Sequence, residues 1–328
     1  TGKIAASGSI MTLLTPSGAG KSVPEYAFNN LFSGCTALTS APKLPATELA
    51  DYCYYQMFKG CSGLTSAPVL PATEMVESCY RRMFQGCSGL ASAPELPSTK
   101  LADYCYEAMF WNCSSLTSAP ELPALTLASN CYKNMFSYCT SLTSAPELPA
   151  MELISGCYEA MFAYCSKLNR IEASFSDWNE AGNSTYGWVD GVASTGTFSC
   201  LKGLEILYDD NHIPEGWTVN EVVPDYLCFT AEASNSTGGM TAPTGVGGWD
   251  IPVLQYSTDL ESWQPFVMGT TTVSLANVGD KVYFRTTKEN SGFYTDFGST
   301  KFEMTGKIAA SGNIMTLLDP LGRSDTVP

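Results

Sequence analysis

Apolar residues return along residues 35–164 at a fixed interval of 26 residues. In one unit, CSGLTSAPVLPATEMVESCYRRMFQG at 61–86, a short extended run is ended by prolines, which cannot donate to an interior strand ladder. Apolar residues four positions apart then follow. This spacing predicts a short strand and then an amphipathic helix in each unit. In the unit that begins at Cys35 the four-apart residues are Leu49, Cys53, Met57 and Cys61.

Two columns of cysteine mark the same period. The first contains Cys35, Cys61, Cys87, Cys113, Cys139 and Cys165, and the second contains Cys53, Cys79, Cys105, Cys131 and Cys157. A fixed period of this length is typical of a solenoid, in which each coil packs on its neighbours. We therefore expect an α/β solenoid of about five to six coils over residues 23–165, including a degenerate leader at 23–34. Helices need about 8–10 Å between axes and strands about 4.8 Å, so the strands should line the concave face.

The period ends after Cys165, and the composition changes again near residue 221. Residues 166–220 keep scattered large apolar residues and are predicted to cap the end of the solenoid. Residues 221–304 contain short β-rich runs separated by Gly, Asn and Asp, which predicts an all-β, Ig-like sandwich. The predicted strands are YLCFTAEA, VLQYSTD, TTTVSLA, KVYFRTT and TKFEMTG, and STDLESW is a predicted hairpin turn.

The first 24 residues are repeated at the other end of the chain, at 305–328, with seventeen of the 24 positions identical. We interpret residues 1–22 as a strand, with Ile10–Leu14 as its apolar part, and a linker. Residues 305–328 are interpreted as the final sandwich strand and the start of a next repeat module. Two explanations stay open: the chain is one module of a tandem array, or the N-terminal strand pairs elsewhere, including donation to another chain, end to end.

The duplication also bears on PSGAGKS at 16–22, which resembles the end of a phosphate-binding loop. The first glycine of that motif is replaced by Thr15, and Pro24 disfavours the helix that should follow. In the second copy, Gly20 and Lys21 become Ser324 and Asp325. A nucleotide site is therefore excluded.

The repeat core has a recognisable form: Met57-Phe58-x-x-Cys61-x-x-Leu64 recurs through Met161-Phe162-x-x-Cys165-x-x-Leu168, and Ala27-Phe28 fits the same pattern. It resembles the A-F-x-x-C-x-x-L core of the BspA-like bacterial surface leucine-rich repeats, from residue 23 to about 170. The chain departs from the family by having SAPELP where β-branched residues are usual. The resemblance implies a secreted or cell-surface protein that acts in adhesion and host contact.

Composition narrows the function. The net charge is −15 although charged residues make up only 15% of the chain, which argues against nucleic acid and anionic membrane surfaces as partners. Neutral glycans, cationic protein patches or calcium fit better.

The single histidine, His212, leaves little room for histidine catalysis or zinc, and we expect no cofactor. The run Asp209-Asp210-Asn211-His212 is a weak calcium candidate, with an exposed turn favoured. No apolar run is long enough for a transmembrane helix. Because residue 1 is Thr, we expect a processed or excised piece.

We expect the ladder cysteines to be stacked, buried free thiols. Helical geometry places Cys53 and Cys61 about 12 Å apart, and neighbouring helices hold equivalent cysteines beyond disulfide range. A ladder also spreads thiols out, which disfavours a shared metal. Cys200 and Cys228 lie outside the ladder, and whether they pair stays open.

Positions that vary between units suggest where a ligand binds. One column reads Lys43, Val69, Glu95, Glu121 and Glu147, and later units carry Trp111, Tyr138 and Tyr164 before the ladder cysteine. Aromatic rings beside carboxylates suit glycan stacking or a protein hot spot. The alternative is that the acids keep the repeat soluble and the rings pack between coils. We therefore predict a non-enzymatic module that binds a protein or glycan. A structural spacer of a phage or cell appendage is the second hypothesis. A carbohydrate-active enzyme is the third, but it needs converging carboxylates that the sequence does not place.

Overall fold

The computed structural model describes residues 2–18, 20–224, 226–241, 254–267, 271–286, 294–295, 298–299 and 301–312. The chain divides into two units: residues 1–200 with 204–221, and residues 201–203 with 222–328. The first unit has 3-10 helices at Ile10–Leu13 and Glu180–Gly182. Its strands are β1 (Ile4–Ala5), β2 (Leu38–Ser40), β3 (Glu147–Leu148), β4 (Arg170–Ala173), β5 (Thr197–Leu201) and β6 (Thr218–Val222).

The predicted helices are wrong: the described residues contain no α-helix. Each expected helix is a chain of four-residue turns. In residues 52–61, alternate N–H groups donate to carbonyls of the next coil, as Tyr54 does to Cys79 at 3.0 Å. The N–H groups between them donate three residues back, as Tyr55 does to Tyr52 at 3.2 Å. A spacing of four residues fits this arrangement as well as it fits a helix.

Left-handed backbone recurs at every fourth residue of these turns, for example at Tyr52, Gln56 and Gly60, with φ of 56°, 54° and 72°. The conformation turns the chain so that every second N–H faces the neighbouring coil. The predicted curvature required helices 8–10 Å apart on one face. Neighbouring coils are instead joined by backbone hydrogen bonds on this face, so that argument for curvature does not apply.

Two columns of stacked aromatic rings fill the space between the turns and the opposite face. Phe32, Phe58, Phe84, Phe110, Phe136 and Phe162 stack with ring centroids 5.4–5.9 Å apart. The second column contains Phe28, Tyr54, Tyr80, Tyr106, Tyr132 and Tyr158, at 5.6–6.0 Å. Offset ring pairs at this separation are favourable beyond their burial of apolar area. The columns therefore run along the repeat as one continuous core.

Regular strands are fewer than five to six coils would supply. The parallel ladder joins β3, β4 and β5, about three turns of solenoid, with β6 beside β5. In the earlier repeats the segments SAPVLP at 66–71 and SAPELP at 92–97 and 118–123 form no strand, and isolated bridges such as Glu74 with Lys100 lie beyond them. Prolines at every unit remove the donors that a longer ladder needs.

Residues 2–18 and 20–22 form an extra coil at the start of the repeat. β1 pairs in parallel with β2, and the backbone of Ser9 bridges Lys43. The predicted strand at Ile10–Leu14 is instead the 3-10 helix Ile10–Leu13, capped by the Ser9 side chain, which accepts from the Met11 N–H at 3.3 Å. Ile10 and Met11 are buried in the repeat core, so this segment covers its apolar end.

Residues after Cys165 continue the coil-to-coil bonding although the sequence period is lost. Tyr158 donates its N–H to Ser184 at 2.8 Å, and Phe162 donates to Trp188 at 2.9 Å. Trp188 is fully buried and packs against Phe162 and Phe198. Larger rings thus close the aromatic core over the region where we predicted a cap.

The second unit contains β7 (Leu227–Ala231), β8 (Ser236–Thr241), β9 (Leu254–Ser257), β10 (Gln264–Phe266), β11 (Thr272–Leu275), β12 (Lys281–Thr286), β13 (Tyr294–Thr295), β14 (Gly298–Ser299), β15 (Lys301–Thr305) and β16 (Ile308–Ser311). One antiparallel sheet has the order β10-β9-β12-β7-β16, and another has the order β11-β8-β15. Phe229 and Phe284 of the first sheet share an apolar cluster with Val273 and Leu275 of the second. Each predicted strand has a counterpart, and the Ig-like assignment stays a prediction.

The central ring of the phenylalanine column should dominate the stability of the repeat. Phe110 is fully buried between Phe84 and Phe136, so Phe110→Ala should lower the free energy of unfolding by about 3–5 kcal/mol. Phe32→Ala, at the end of the column, is the matched control and should cost less, since Phe32 is only partly buried. Urea unfolding monitored by fluorescence measures both. Equal losses would contradict the stacked core.

Candidate functional site

The cysteine columns are part of the core. All thirteen cysteines lie among the described residues and are free thiols, and twelve are buried. The prediction of burial is wrong for Cys35, which is exposed; the residue 29 positions before it is Ala6 and not a phenylalanine of a preceding coil. In the first column the thiol donates to a phenylalanine carbonyl 29 residues earlier, at 3.0–3.2 Å. These bonds join Cys61 to Phe32, Cys87 to Phe58, Cys113 to Phe84, Cys139 to Phe110 and Cys165 to Phe136. A small side chain that donates weakly suits this position.

Burial makes these thiols unreactive. It raises the pKa of Cys61 to about 11 and the pKa values of Cys79 and Cys165 to about 12. The thiolate is the nucleophile and the metal ligand, so a thiol that stays protonated near neutral pH serves neither purpose. Cys200 and Cys228, whose pairing the sequence left open, are also free and buried.

An aromatic row lies on the surface of the later coils. Trp111 contacts Tyr138 edge to face at 5.5 Å, and Tyr138 stacks on Tyr164 at 4.7 Å between centroids. Tyr138 is 40% exposed and Tyr164 is 43% exposed. We call Trp111, Tyr138 and Tyr164 the aromatic row. The structure brings these three predicted residues together.

The left-handed backbone at two positions of the row makes tyrosine energetically unfavourable there. Tyr138 and Tyr164 have φ of 63° and 61°, at the turn position occupied by Gly34, Gly60 and Gly86 in earlier coils. A side chain in the left-handed region costs about 1–2 kcal/mol, which glycine avoids. The turn geometry alone therefore favours glycine, and half-exposed rings recover little of the cost through burial.

An acidic residue that sequence reasoning missed lies at the end of the row. The Tyr164 hydroxyl is hydrogen-bonded to Asp190, which raises the pKa of Tyr164 above its usual range. Gly191, at φ 65°, lies under the ring of Tyr164, where a Cβ would come within 2.8 Å of it. The nearest signal in the sequence is the pair Asp190-Gly191, which falls outside the regular repeat.

The predicted acids lie in a different setting. Glu95 and Glu121 line one shallow groove of about 360 Å³, together with Pro94, Pro97 and Pro120. Glu147 is exposed in β3. Trp111, Tyr138 and Tyr164 do not line this groove. The expected single surface of rings beside glutamates is thus two features, an acidic groove and an aromatic row that ends at Asp190.

The remaining motifs are used structurally. Asp209 accepts from the Asn211 N–H at 2.7 Å and contacts the ring of the buried His212 at 2.8 Å. The Lys21 carbonyl accepts from the N–H groups of Thr47 and Glu48, so the supposed phosphate loop joins the first coil. Among the residues described, no group of three or more His, Cys, Asp or Glu is arranged to hold a metal ion.

Comparison with known proteins identifies the repeat. Residues 21–169 match the BspA type leucine rich repeat region, in six copies. The chain therefore carries a BspA-type leucine-rich repeat region, which confirms the resemblance inferred from Met57-Phe58-x-x-Cys61-x-x-Leu64 and its copies. No curated protein and no solved structure was found to match the chain. In the part of the chain that the structure describes, no helix is long and apolar enough to span a bilayer.

Alkylation should separate the exposed thiol from the buried ones. With iodoacetamide at pH 8, the folded chain should take up one label, at Cys35, and the unfolded chain thirteen. Intact-mass spectrometry counts the labels, and Cys35→Ser should remove the native one. Rapid native labelling at Cys87 or Cys113 would contradict the burial of the ladder.

Replacing the exposed tyrosines should cost little stability. In Tyr138→Asn with Tyr164→Asn, relief of left-handed strain should offset lost stacking of about 0.5–1.5 kcal/mol. The net change in the free energy of unfolding should stay within about 1 kcal/mol, against about 3–5 kcal/mol for the buried Tyr132→Ala. Urea titration compares them. A loss as large as that of Tyr132→Ala would make the row a packing element.

Proposed function

We propose that the chain is a non-enzymatic, extracellular or cell-surface adhesion module whose repeat region binds a protein or glycan through the aromatic row. The observation that carries this proposal is the placement of Tyr138 and Tyr164. They are stacked and half exposed at left-handed positions where earlier coils have glycine. Backbone strain retained at an exposed site is typical of functional surfaces.

The chemistry of the row suits such ligands. Stacked tyrosines offer a rigid apolar platform with hydroxyl groups at its edge. The Asp190 carboxylate, which is bonded to the Tyr164 hydroxyl, has further acceptor positions that could serve sugar hydroxyls. On a protein partner the same rings would serve as a hot spot, because tyrosine and tryptophan provide large contact areas with little side-chain entropy to lose. The net charge of −15 favours a neutral or cationic ligand.

We take the acidic groove as a second contact region, which serves a cationic protein ligand only. Glu95 and Glu121 are exposed and lie on adjacent coils, so a cationic segment of a protein could follow both carboxylates along the groove. Exposed ion pairs contribute only about 0–1 kcal/mol each, so this groove adds to specificity more than to affinity. The aromatic row should therefore carry most of the binding energy.

A spacer of a tandem or fibrous assembly is the alternative function. It is favoured by one observation: the first 24 residues return at 305–328. In that case the modules would space a binding part that lies elsewhere, and the aromatic row would have no ligand. The two functions differ in whether the chain alone binds anything.

A binding screen of the full chain against glycans and extracellular matrix proteins tests the proposal. Tyr138→Asn with Tyr164→Asn should weaken binding of any ligand found by at least about tenfold, about 1.4 kcal/mol. The control is Tyr26→Asn with Tyr52→Asn. This pair is also stacked at left-handed positions, and the Tyr52 hydroxyl donates to Glu77 at 3.0 Å, but no tryptophan among the described residues contacts it, so the control should weaken binding less than the change in the aromatic row. Loss in the control alone would place the site there and overturn our assignment.

The groove needs its own variant. Glu95→Lys with Glu121→Lys and Glu147→Lys should weaken binding of a cationic protein and leave a neutral glycan unaffected. Its control, with the same change in charge, is Glu25→Lys with Glu205→Lys and Glu215→Lys, all exposed elsewhere in the first unit. No ligand in the whole screen would favour the spacer, and turnover of a glycan would exclude a purely binding role.

A further inference from the structure

The sequence TGKIAASG occurs at residues 1–8 and again at 305–312, and the two copies pair differently. In the first copy, β1 pairs in parallel with β2 of the repeat region. In the second copy, β16 pairs antiparallel with β7, at the edge of the five-stranded sheet. One peptide therefore completes two unrelated sheets.

The two pairings use opposite edges of the strand. In the first copy, Ile4 donates its N–H to Ala37 at 2.8 Å, and Ala6 donates to Ser40 at 3.2 Å. These residues correspond to Ile308 and Ala310 of the second copy. The backbone groups that face the repeat are thus those of every second residue, beginning with the isoleucine.

In the second copy the other residues are used. Glu232 donates its N–H to Lys307 at 2.7 Å, and the register pairs Ala309 with Thr230. Bonded and non-bonded pairs alternate in an antiparallel ladder, so Lys307, Ala309 and Ser311 face β7. The N–H and C=O groups of Ile308 and Ala310 point to the other edge, where the described residues supply no strand.

The side chains are complementary in the same way. Ile4 is 61% exposed in the first copy, whereas its equivalent Ile308 packs against the core of the second unit. Ala6 packs against the repeat core, whereas its equivalent Ala310 is exposed. Each environment satisfies the residue that the other leaves free.

The end of the strand and the sequence after it are also similar in the two copies. Gly8 and Gly312 both end the strand in the left-handed region, at φ 83° and 81°. Of the described positions at which the copies differ, all are exposed or half buried in the first copy, whereas the equivalents of buried Ile10, Met11 and Val23 are kept as Ile314, Met315 and Val327. Residues 313–328 lie outside the described part, so this point rests on sequence.

We propose that TGKIAASG is a junction strand. One edge completes the antiparallel sheet of the second unit, and the other binds the first coil of a following repeat region that has this chain's own sequence, through its Leu38–Ser40 strand. The two sheets then share one strand and the modules are joined without a flexible linker. The junction also covers an edge that would otherwise invite unwanted pairing. This inference does not depend on ligand binding.

Amide hydrogen exchange on a tandem chain tests the proposal. Residues 1–304 are followed directly by residues 1–328, so that one TGKIAASG lies between two complete modules. In the single chain the amides of Ala309 and Ser311 should be protected, while those of Ile308 and Ala310 exchange fast. At the tandem junction all four should be protected, with the isoleucine and second alanine slowed by more than about tenfold. Residue-resolved mass spectrometry reads both.

Proline at the second alanine of the junction is the decisive variant. Ala310→Pro in the single chain removes an N–H that faces no described partner, and an edge strand tolerates proline, so its urea midpoint should stay unchanged. The same change at the tandem junction should abolish the added protection at the isoleucine. Fast exchange of the isoleucine and second alanine in the unmodified tandem would overturn the proposal. So would loss of protection, at the tandem junction, of the first alanine, which is equivalent to Ala309 and pairs with Thr230 of β7.

Discussion

The repeat region depends on a hydrogen bond from one coil to the next, made by every second residue of the turn side. These bonds, of which Tyr54 to Cys79 is one, set the separation of neighbouring coils. That separation brings equivalent rings to 5.4–6.0 Å, a distance at which they stack. It also brings the first-column thiols from Cys61 to Cys165 within reach of a phenylalanine carbonyl. The aromatic core and the cysteine ladder are both consequences of one backbone arrangement.

The same arrangement requires left-handed backbone at regular positions. This requirement makes the exposed residues at those positions informative. Glycine and asparagine accept that conformation easily, and the early coils use Gly34, Gly60 and Gly86 at one such position. Where Tyr138 and Tyr164 replace glycine, the fold gains a stacked, exposed pair at the expense of strain. Equivalent positions in a periodic structure can therefore be compared: a residue that folding alone requires should recur in every coil, and one that departs from the pattern points to another role.

The duplicated strand extends this logic beyond one module. A β-strand has two hydrogen-bonding edges, and β1 and β16 each use a different one. Since alternate residues serve alternate edges, neither pairing competes with the other for a backbone group. The side chains differ between the copies as well: the isoleucine packs only in the second unit, and the second alanine packs only in the repeat region.

The sequence by itself determined the solenoid, its period, the burial of its cysteines other than Cys35, and five strands of the second unit, which are β7, β9, β11, β12 and β15. The features of the solenoid follow from spacing, because a residue that recurs every 26 positions must occupy equivalent sites. The strands follow from short β-rich runs separated by turn residues. It also identified all three members of the aromatic row. It could not identify Asp190, which lies outside the period, or separate Glu95 and Glu121 from the row.

Only the tertiary structure decided between helix and turns, since apolar residues four apart suit both. The choice depends on whether an N–H finds its acceptor within the coil or in the next one, and spacing along one coil does not contain that information. Only the tertiary structure, likewise, assigned each TGKIAASG to its sheet. The two copies are identical in sequence, so their different pairings come from the strands that each one meets, which are β2 for the first copy and β7 for the second.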